Sequence, residues 1–571
     1  MKHPRATSVL AVIATVLLTI TPAATAQATV YAQIEGSGSS WSEVILQQWI
    51  SDVDAYGMKV TYQGSGSSQG RKDFAANVTD FGISEIPYQG SDEFGNADNS
   101  NGRSFAYLPI VAGGTAFTYQ LRIGGKQVNN LRLSGATIAK IFTNQITNWS
   151  DPAIKADNNG RVLPSVPITP VVRSDGSGTT AQFTAYLDHE YPSIWRPFYG
   201  RSGMTSYFPR KGRSIAASKS DQVMNTISSA AGNGTIGYVE YSYPVNAAYP
   251  VVKVLNRGGY FVEPTQYNVA VALTKAQINK DKTSQNYLTQ ILTGVYASGD
   301  PRAYPLSSYS YMLIPTGAKD VRMTTAKRQT LADFMYYSLC QGQTKAGGFG
   351  YSPLPLNLVQ AGFEQLGKLK AGDPAIDISN RDVRSCNNPT FNGKDLSTNR
   401  LAQIAPAPAT CDRSGQGPCG SPTGKGTPTT NQSEARNGGA AATPGAAPAG
   451  SGATSPRAGT NPGAASGRPA GSGASAAGSP AGAPSAGGAV GAAPAAGAAA
   501  PVIDPATGEV VNAAAGNVAA SDVVAVPTQL VASRENDSGV FGALAALEVL
   551  LLVLLPGFLA VAWSRRADGA R

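Results

Sequence analysis

Apolar residues recur four apart in "WSEVILQQWISDV", placing Trp41, Ile45, Trp49 and Val53 on one face of a helix. The next stretch, "MKVTYQ", alternates with period two, which predicts a half-buried strand running into a Gly/Ser loop. "TDFGIS" predicts another short buried strand. "SVPITPVVR" reads as an extended run ending at Arg173, after which "TTAQFTAYL" resumes a helical period. Farther on, "RQTLADFMYYSL" and "LPLNLVQAGFEQLGKL" predict two amphipathic helices. Helix-like and strand-like segments alternate from about residue 30 to 375, which predicts an α/β class.

The two ends follow other patterns. Residues 1–28 combine MKHPR, a short apolar run and an A-x-A-like site at Ala26-Gln27-Ala28, the signature of a secretory signal peptide. Residues 426–530 collapse to Ala, Gly, Pro and Ser and predict a disordered linker, because such a run buries too little apolar surface to offset chain entropy. Residues 540–563 are apolar apart from Glu548 and long enough to cross a ~30 Å hydrocarbon core. Arg565, Arg566 and Arg571 follow and leave the short tail cytoplasmic. The expected location is exported and single-pass, with the globular part outside the membrane.

Composition narrows the picture. The 571 residues allow two or three domains. The net charge of +9 is scattered, without a basic run or basic-aromatic interleaving, so nucleic acid is not an expected partner. Four cysteines suit an oxidising compartment and permit three pairings, of which Cys340–Cys386 with Cys411–Cys419 is preferred. No metal site or cofactor is expected, since the cysteines lack a C-x-x-C spacing or a nearby histidine.

The candidate chemistry lies in three small-residue loops: GSGSS at 36–40, GSGSS at 64–68 and "RSDGSGTT" at 173–180. Each is expected to leave a strand and open a helix. Helix starts expose unpaired N–H groups and a partial positive charge; glycine lets backbone approach closely, and hydroxyls add donors. Arg173 adds a rigid fork of donors matched to a tetrahedral oxyanion. Enzymatic alternatives fare worse. Gly66-Ser67-Ser68-Gln69-Gly70 fits G-x-S-x-G, but beyond the signal segment His189 is the sole histidine, and it sits at a helix end. A G-x-x-x-x-G-K-[S/T] loop is absent. The chain is expected to bind an anion and not to be an enzyme.

Six ordered segments carry a resemblance: "GSGSSWSEVILQQW", "VTYQGSGSSQG", "DFGISEIP", "LSGATIAKIFTNQITNWSDPAI", "ITPVVRSDGSGTT" and "GTIGYVEY". Together they resemble the phosphate-binding receptor of bacterial Pst-type ABC transporters, a type II periplasmic binding protein. The resemblance implies two α/β lobes, 29–109 with 304–375 and 110–303, joined by crossings near Pro109–Gly113 and Ala303–Leu306. It implies inorganic phosphate as ligand, held by Ser40, Trp41, Ser67, Glu85, Arg173, Ser177, Gly178 and Thr179, with Asp175 orienting the arginine. Ser40-Trp41 stands where the family usually has Thr-Phe, and Glu85 where it has the aspartate that accepts the proton of phosphate. The implied partners are permease and ATPase subunits encoded elsewhere. A surface-displayed phosphate sensor or adhesion module on the same fold is the alternative. The Cys-containing extension, 376–425, is expected to pack on the first lobe or cap the domain.

Overall fold

The computed structural model describes residues 31–419, except 380 and 382, and the strand pair Val502–Ile503 and Val510–Val511. The signal segment, the rest of the linker and the 540–563 span lie outside the described residues. Among those described, no helix is long and apolar enough to cross a membrane. The expectation of a linker without regular structure needs one correction: Val502–Ile503 pairs antiparallel with Val510–Val511.

Eight strands form the main sheet. In chain order they are β1 (Ile34–Gly38), β2 (Val60–Gln63), β3 (Phe81–Ser84), β4 (Phe105–Tyr119), β5 (Thr169–Arg173), β6 (Ile215–Ala217), β7 (Thr235–Glu240) and β8 (Ser307–Pro315). Their spatial order is β6-β5-β7-β4-β8-β3-β1-β2. β1 pairs parallel with β2 and β3, and β5 parallel with β6 and β7. Such pairs need crossover helices. These include α1 (Glu43–Asp54), α2 (Ser67–Ala75), α3 (Gly178–Glu190) and α4 (Lys219–Ser228).

β4 joins the two parallel groups. At 15 residues it spans roughly 50 Å. Its first two-thirds pair antiparallel with β8, from Phe105↔Pro315 to Gly114↔Ser307, and its last third pairs with β7, from Thr115↔Glu240 to Tyr119↔Ile236. All but its first residue are buried, which fits the near-continuous apolar sequence of a strand covered on both faces.

α5 (Thr325–Leu339) and α6 (Leu356–Gly372) match the two amphipathic helices expected near the end of the globular part. Both preferred disulfides form, Cys340–Cys386 and Cys411–Cys419. The extension between them reaches further than expected. Asn388 donates to the Leu354 carbonyl (3.0 Å), beside α6. Beyond it, Lys253 pairs with Asp412 (2.8 Å) and Arg132 donates to the Cys411 carbonyl (3.1 Å). The extension therefore contacts segments assigned to both expected lobes, Leu354 in 304–375 and Arg132 and Lys253 in 110–303.

Candidate functional site

The three loops meet at the carboxyl ends of the parallel strands, where chain leaves the sheet and helices begin. The first GSGSS differs slightly from expectation: Gly36, Ser37 and Gly38 already belong to β1, and the loop proper is Ser39 to Ser42. The second opens α2 directly, with Gly66 as its cap at φ 95°. Only glycine suits that position. A Cβ there would sit in the left-handed region and 2.6 Å from the Asp175 carboxylate of the third loop. The Ser68 amide donates to the Gly176 carbonyl (3.0 Å), joining second and third loops through the main chain.

The third loop begins with Arg173, the last residue of β5. Its side chain is buried, and Nε donates to Asp175 Oδ1 (2.7 Å) while Nη2 donates to Oδ2. Burial works against the guanidinium charge, but Asp175 beside it more than offsets that. Burial likewise pushes Asp175 up, and Arg173 wins, holding the carboxyl below its usual range. Asp175 thus holds the guanidinium through both of its oxygens. It also accepts from the Lys219 amide (2.9 Å), tying in the start of α4.

Ser177 caps α3: its hydroxyl accepts from the Thr180 amide (3.2 Å). Gly178 and Thr179, the first two residues of α3, have amides that helix geometry leaves without an intrahelical acceptor. Gly178 is required by crowding. A Cβ there would lie 2.0 Å from Glu85 Oε2 and 2.6 Å from Ser67 Oγ. Glu85, Ser67 and the start of α3 are therefore direct neighbours.

Glu85 follows β3 and is only 1% exposed. Ser67 Oγ donates to its Oε2 (2.6 Å) and Ser39 Oγ to its Oε1. Its main-chain carbonyl accepts from Gln182 Nε2 (2.8 Å) and Gln290 Nε2 (3.3 Å). Burial pushes the Glu85 carboxyl up, and the two hydroxyls and Arg173 only partly counter it. Glu85 points inward, toward Ser39 and Ser67.

Ser40 and Trp41 complete the expected set. Ser40 Oγ lies 3.1 Å from Ser220 Oγ and accepts from the Ser220 amide (3.1 Å), while Arg173 Nη1 donates to Ser220 Oγ (3.3 Å). Trp41 departs from the sequence reading because it precedes α1 instead of sharing its face. The chain needs a turn between β1 and the helix. The indole is buried edge-to-face against Tyr351 (5.8 Å), and its carbonyl accepts from Tyr351 Oη (2.7 Å).

Sequence reasoning missed Ser39, Ser220, Gln182 and Gln290. Ser39 lay inside a motif already singled out. Ser220 carries no local signal, since it meets Arg173 only through the packing of α4. The nucleophile-elbow reading gains no support here. Ser68 faces Gly176, whereas His189 binds Glu190 (2.9 Å) and lies tilted against Tyr296 (5.6 Å).

Chemically, the site offers hydroxyls, helix-start amides and one guanidinium whose charge is already matched by Asp175. Its one further charged group is an acceptor, Glu85. The site is suited to a tetrahedral oxyanion that still carries a proton.

The chain is similar to known proteins. The PBP superfamily domain matches residues 23–341. The phosphate-binding protein PstS of Xylella fastidiosa is 31% identical over 340 residues, covering 59% of this chain and 85% of the relative. Phosphate-binding protein PstS 2 of Mycobacterium tuberculosis is 31% identical over 332 residues, covering 57% and 83%. A periplasmic phosphate-binding protein solved with phosphate bound is similar over 62% of this chain and 98% of its own, at 18% identity and TM-score 0.47. The chain belongs to the PBP superfamily and, within it, to the family of the phosphate-binding protein PstS.

Proposed function

We propose that this protein captures inorganic phosphate outside the cytoplasm for uptake by an ABC transporter. The observation that carries the reading is convergence. Arg173 meets Ser40 through Ser220, and Gly178 lies against Ser67 and the inward carboxylate of Glu85, with Ser177, Thr179 and Trp41 next to them in the chain. Glu85 takes the part of proton acceptor. A phosphate that retains a proton donates it to Glu85, whereas fully ionised sulfate would leave the buried carboxylate repelled and unpaired.

The two lobes, 29–109 with 304–375 and 110–303, close on the anion by bending where β4 and β8 pass between them. The sheet order supports this, because strands of each proposed lobe cluster on one side of β4. The chain binds and releases without chemistry, and the bound form is presented to permease and ATPase subunits encoded elsewhere. The 540–563 segment tethers it, and the linker holds the globular part off the bilayer.

Calorimetry of the purified protein with phosphate, sulfate and arsenate tests the reading. Binding of phosphate and arsenate with rejection of sulfate is expected; absence of phosphate binding at millimolar concentration would sink it. Deleting the gene should lower phosphate uptake at limiting phosphate. Truncation before residue 538 should release the protein from membranes.

A further inference from the structure

Outside the set implied by resemblance, the residue that bears most directly on ligand choice is Ser39. Its Oγ accepts from the Ser42 amide (3.2 Å), the first unsatisfied turn before α1. With that acceptor role taken, its hydrogen is directed to Glu85 Oε1. The Tyr62 hydroxyl donates to the Ser39 carbonyl (2.8 Å), which fixes the residue's main chain. Ser67 meanwhile donates to Oε2. Each carboxylate oxygen therefore receives one hydroxyl hydrogen, and each keeps a lone pair for a second donor. Glutamate has one more rotatable bond than the aspartate usual at this position, so a second clamp has a job here.

We infer that Ser39 is a positioning residue for Glu85, holding its carboxylate oriented and ionised as the acceptor that separates protonated phosphate from fully ionised oxyanions. This rests on the phosphate reading above. Burial favours a protonated Glu85, which would offer a hydrogen in place of accepting one; donation from Ser39 opposes that. The charged groups facing Glu85 are few. Arg173 and Asp175 come from β5 and its loop, already paired with each other. Arg71 of α2 is paired with Asp98. Tyr62 of β2 is pushed well above its ordinary value by burial. Asp188 and His189 of α3 share the adjoining cleft and are paired with Arg196 and Glu190.

The test is calorimetry of wild type, Ser39→Ala, Ser39→Thr, Glu85→Gln and the Ser39→Ala/Glu85→Gln double variant, with phosphate and with sulfate from acidic to neutral pH. Phosphate's own titration is common to all variants and cancels in the ratios. Ser39→Ala should weaken phosphate binding about tenfold, with the loss growing as pH falls, while sulfate binding strengthens. Ser39→Thr, which keeps the hydroxyl, should retain the wild-type pH profile. In the Glu85→Gln background, Ser39→Ala should add no pH dependence. An equal loss for both anions at every pH, or an unchanged phosphate-to-sulfate ratio, would overturn the inference. Wild type that binds no phosphate would remove the phosphate reading first, and this one with it.

Discussion

Asp175, in the loop after β5, and Glu85, just after β3, are both nearly buried beside the start of α3, yet the fold treats them in opposite ways. Asp175 receives a full counter-charge: Arg173 grips both of its oxygens, and its carboxyl is held low. Glu85 is hydrogen-bonded only by hydroxyl dipoles, from Ser39 and Ser67, with Arg173 acting from a distance, and burial prevails, pushing its carboxyl up. The difference teaches where stability and function part. The first corner is a closed pair that positions a donor. The second is an under-compensated carboxyl kept at some cost, which the proposed acceptor role would account for.

Breaking the closed pair should have the largest effect. Arg173→Met should abolish phosphate binding and destabilise the fold by about 3–5 kcal/mol, because Asp175 is left buried and unpaired. Urea unfolding and calorimetry on one preparation would check both. A variant that stays as stable as wild type would refute the closed pair.

Glu85→Gln should have the opposite sign on stability. At neutral pH the midpoint of unfolding should rise, phosphate affinity should fall about tenfold, and sulfate should begin to bind. An unchanged phosphate-to-sulfate preference would remove Glu85 from its role.

The pH dependence of stability sharpens the contrast, because the two shifts have opposite signs. Asp175 is lowered in the fold, so its contribution is present above its unfolded value near ~3.9 and is lost as pH falls through the folded value. Glu85 is raised, so its contribution is fully present below its unfolded value near ~4.3 and is lost as pH rises through the folded value. Asp175→Asn should flatten the acid limb of a Tm-against-pH curve, whereas Glu85→Gln should flatten the limb above it.

Gly178→Ala probes the point where the two corners touch. Its methyl would meet Glu85 Oε2, Ser67 Oγ and, at 2.9 Å, Glu85 Cβ, so phosphate affinity should fall about five- to tenfold and stability by about 1–3 kcal/mol. The smallest effect on binding is expected far from either carboxylate. Asp412→Asn, which weakens a largely buried pair with Lys253, should leave affinity unchanged and cost about 1–3 kcal/mol of stability.

The chain's own order supplied much of this. A period of four in "WSEVILQQWISDV", alternation in "MKVTYQ" and the Gly/Ser loops are local signals, and they mark where strands end and helices start. Arg173 and Asp175, two residues apart, could be paired from sequence because a short loop brings them together whatever the rest does. What sequence left open was contact between distant segments. Ser220 reaches Arg173 and Ser40 only because α4 packs on β5 and β7. Trp41 was misplaced because helical spacing cannot show that a turn intervenes. The burial that raises Glu85, and the reach of the extension to Leu354 as well as to Arg132 and Lys253, belong to the folded molecule alone. Periodicity and glycine placement act over a few residues and are written along the chain. Desolvation and long-range hydrogen bonds arise only once the sheet has brought separate stretches together.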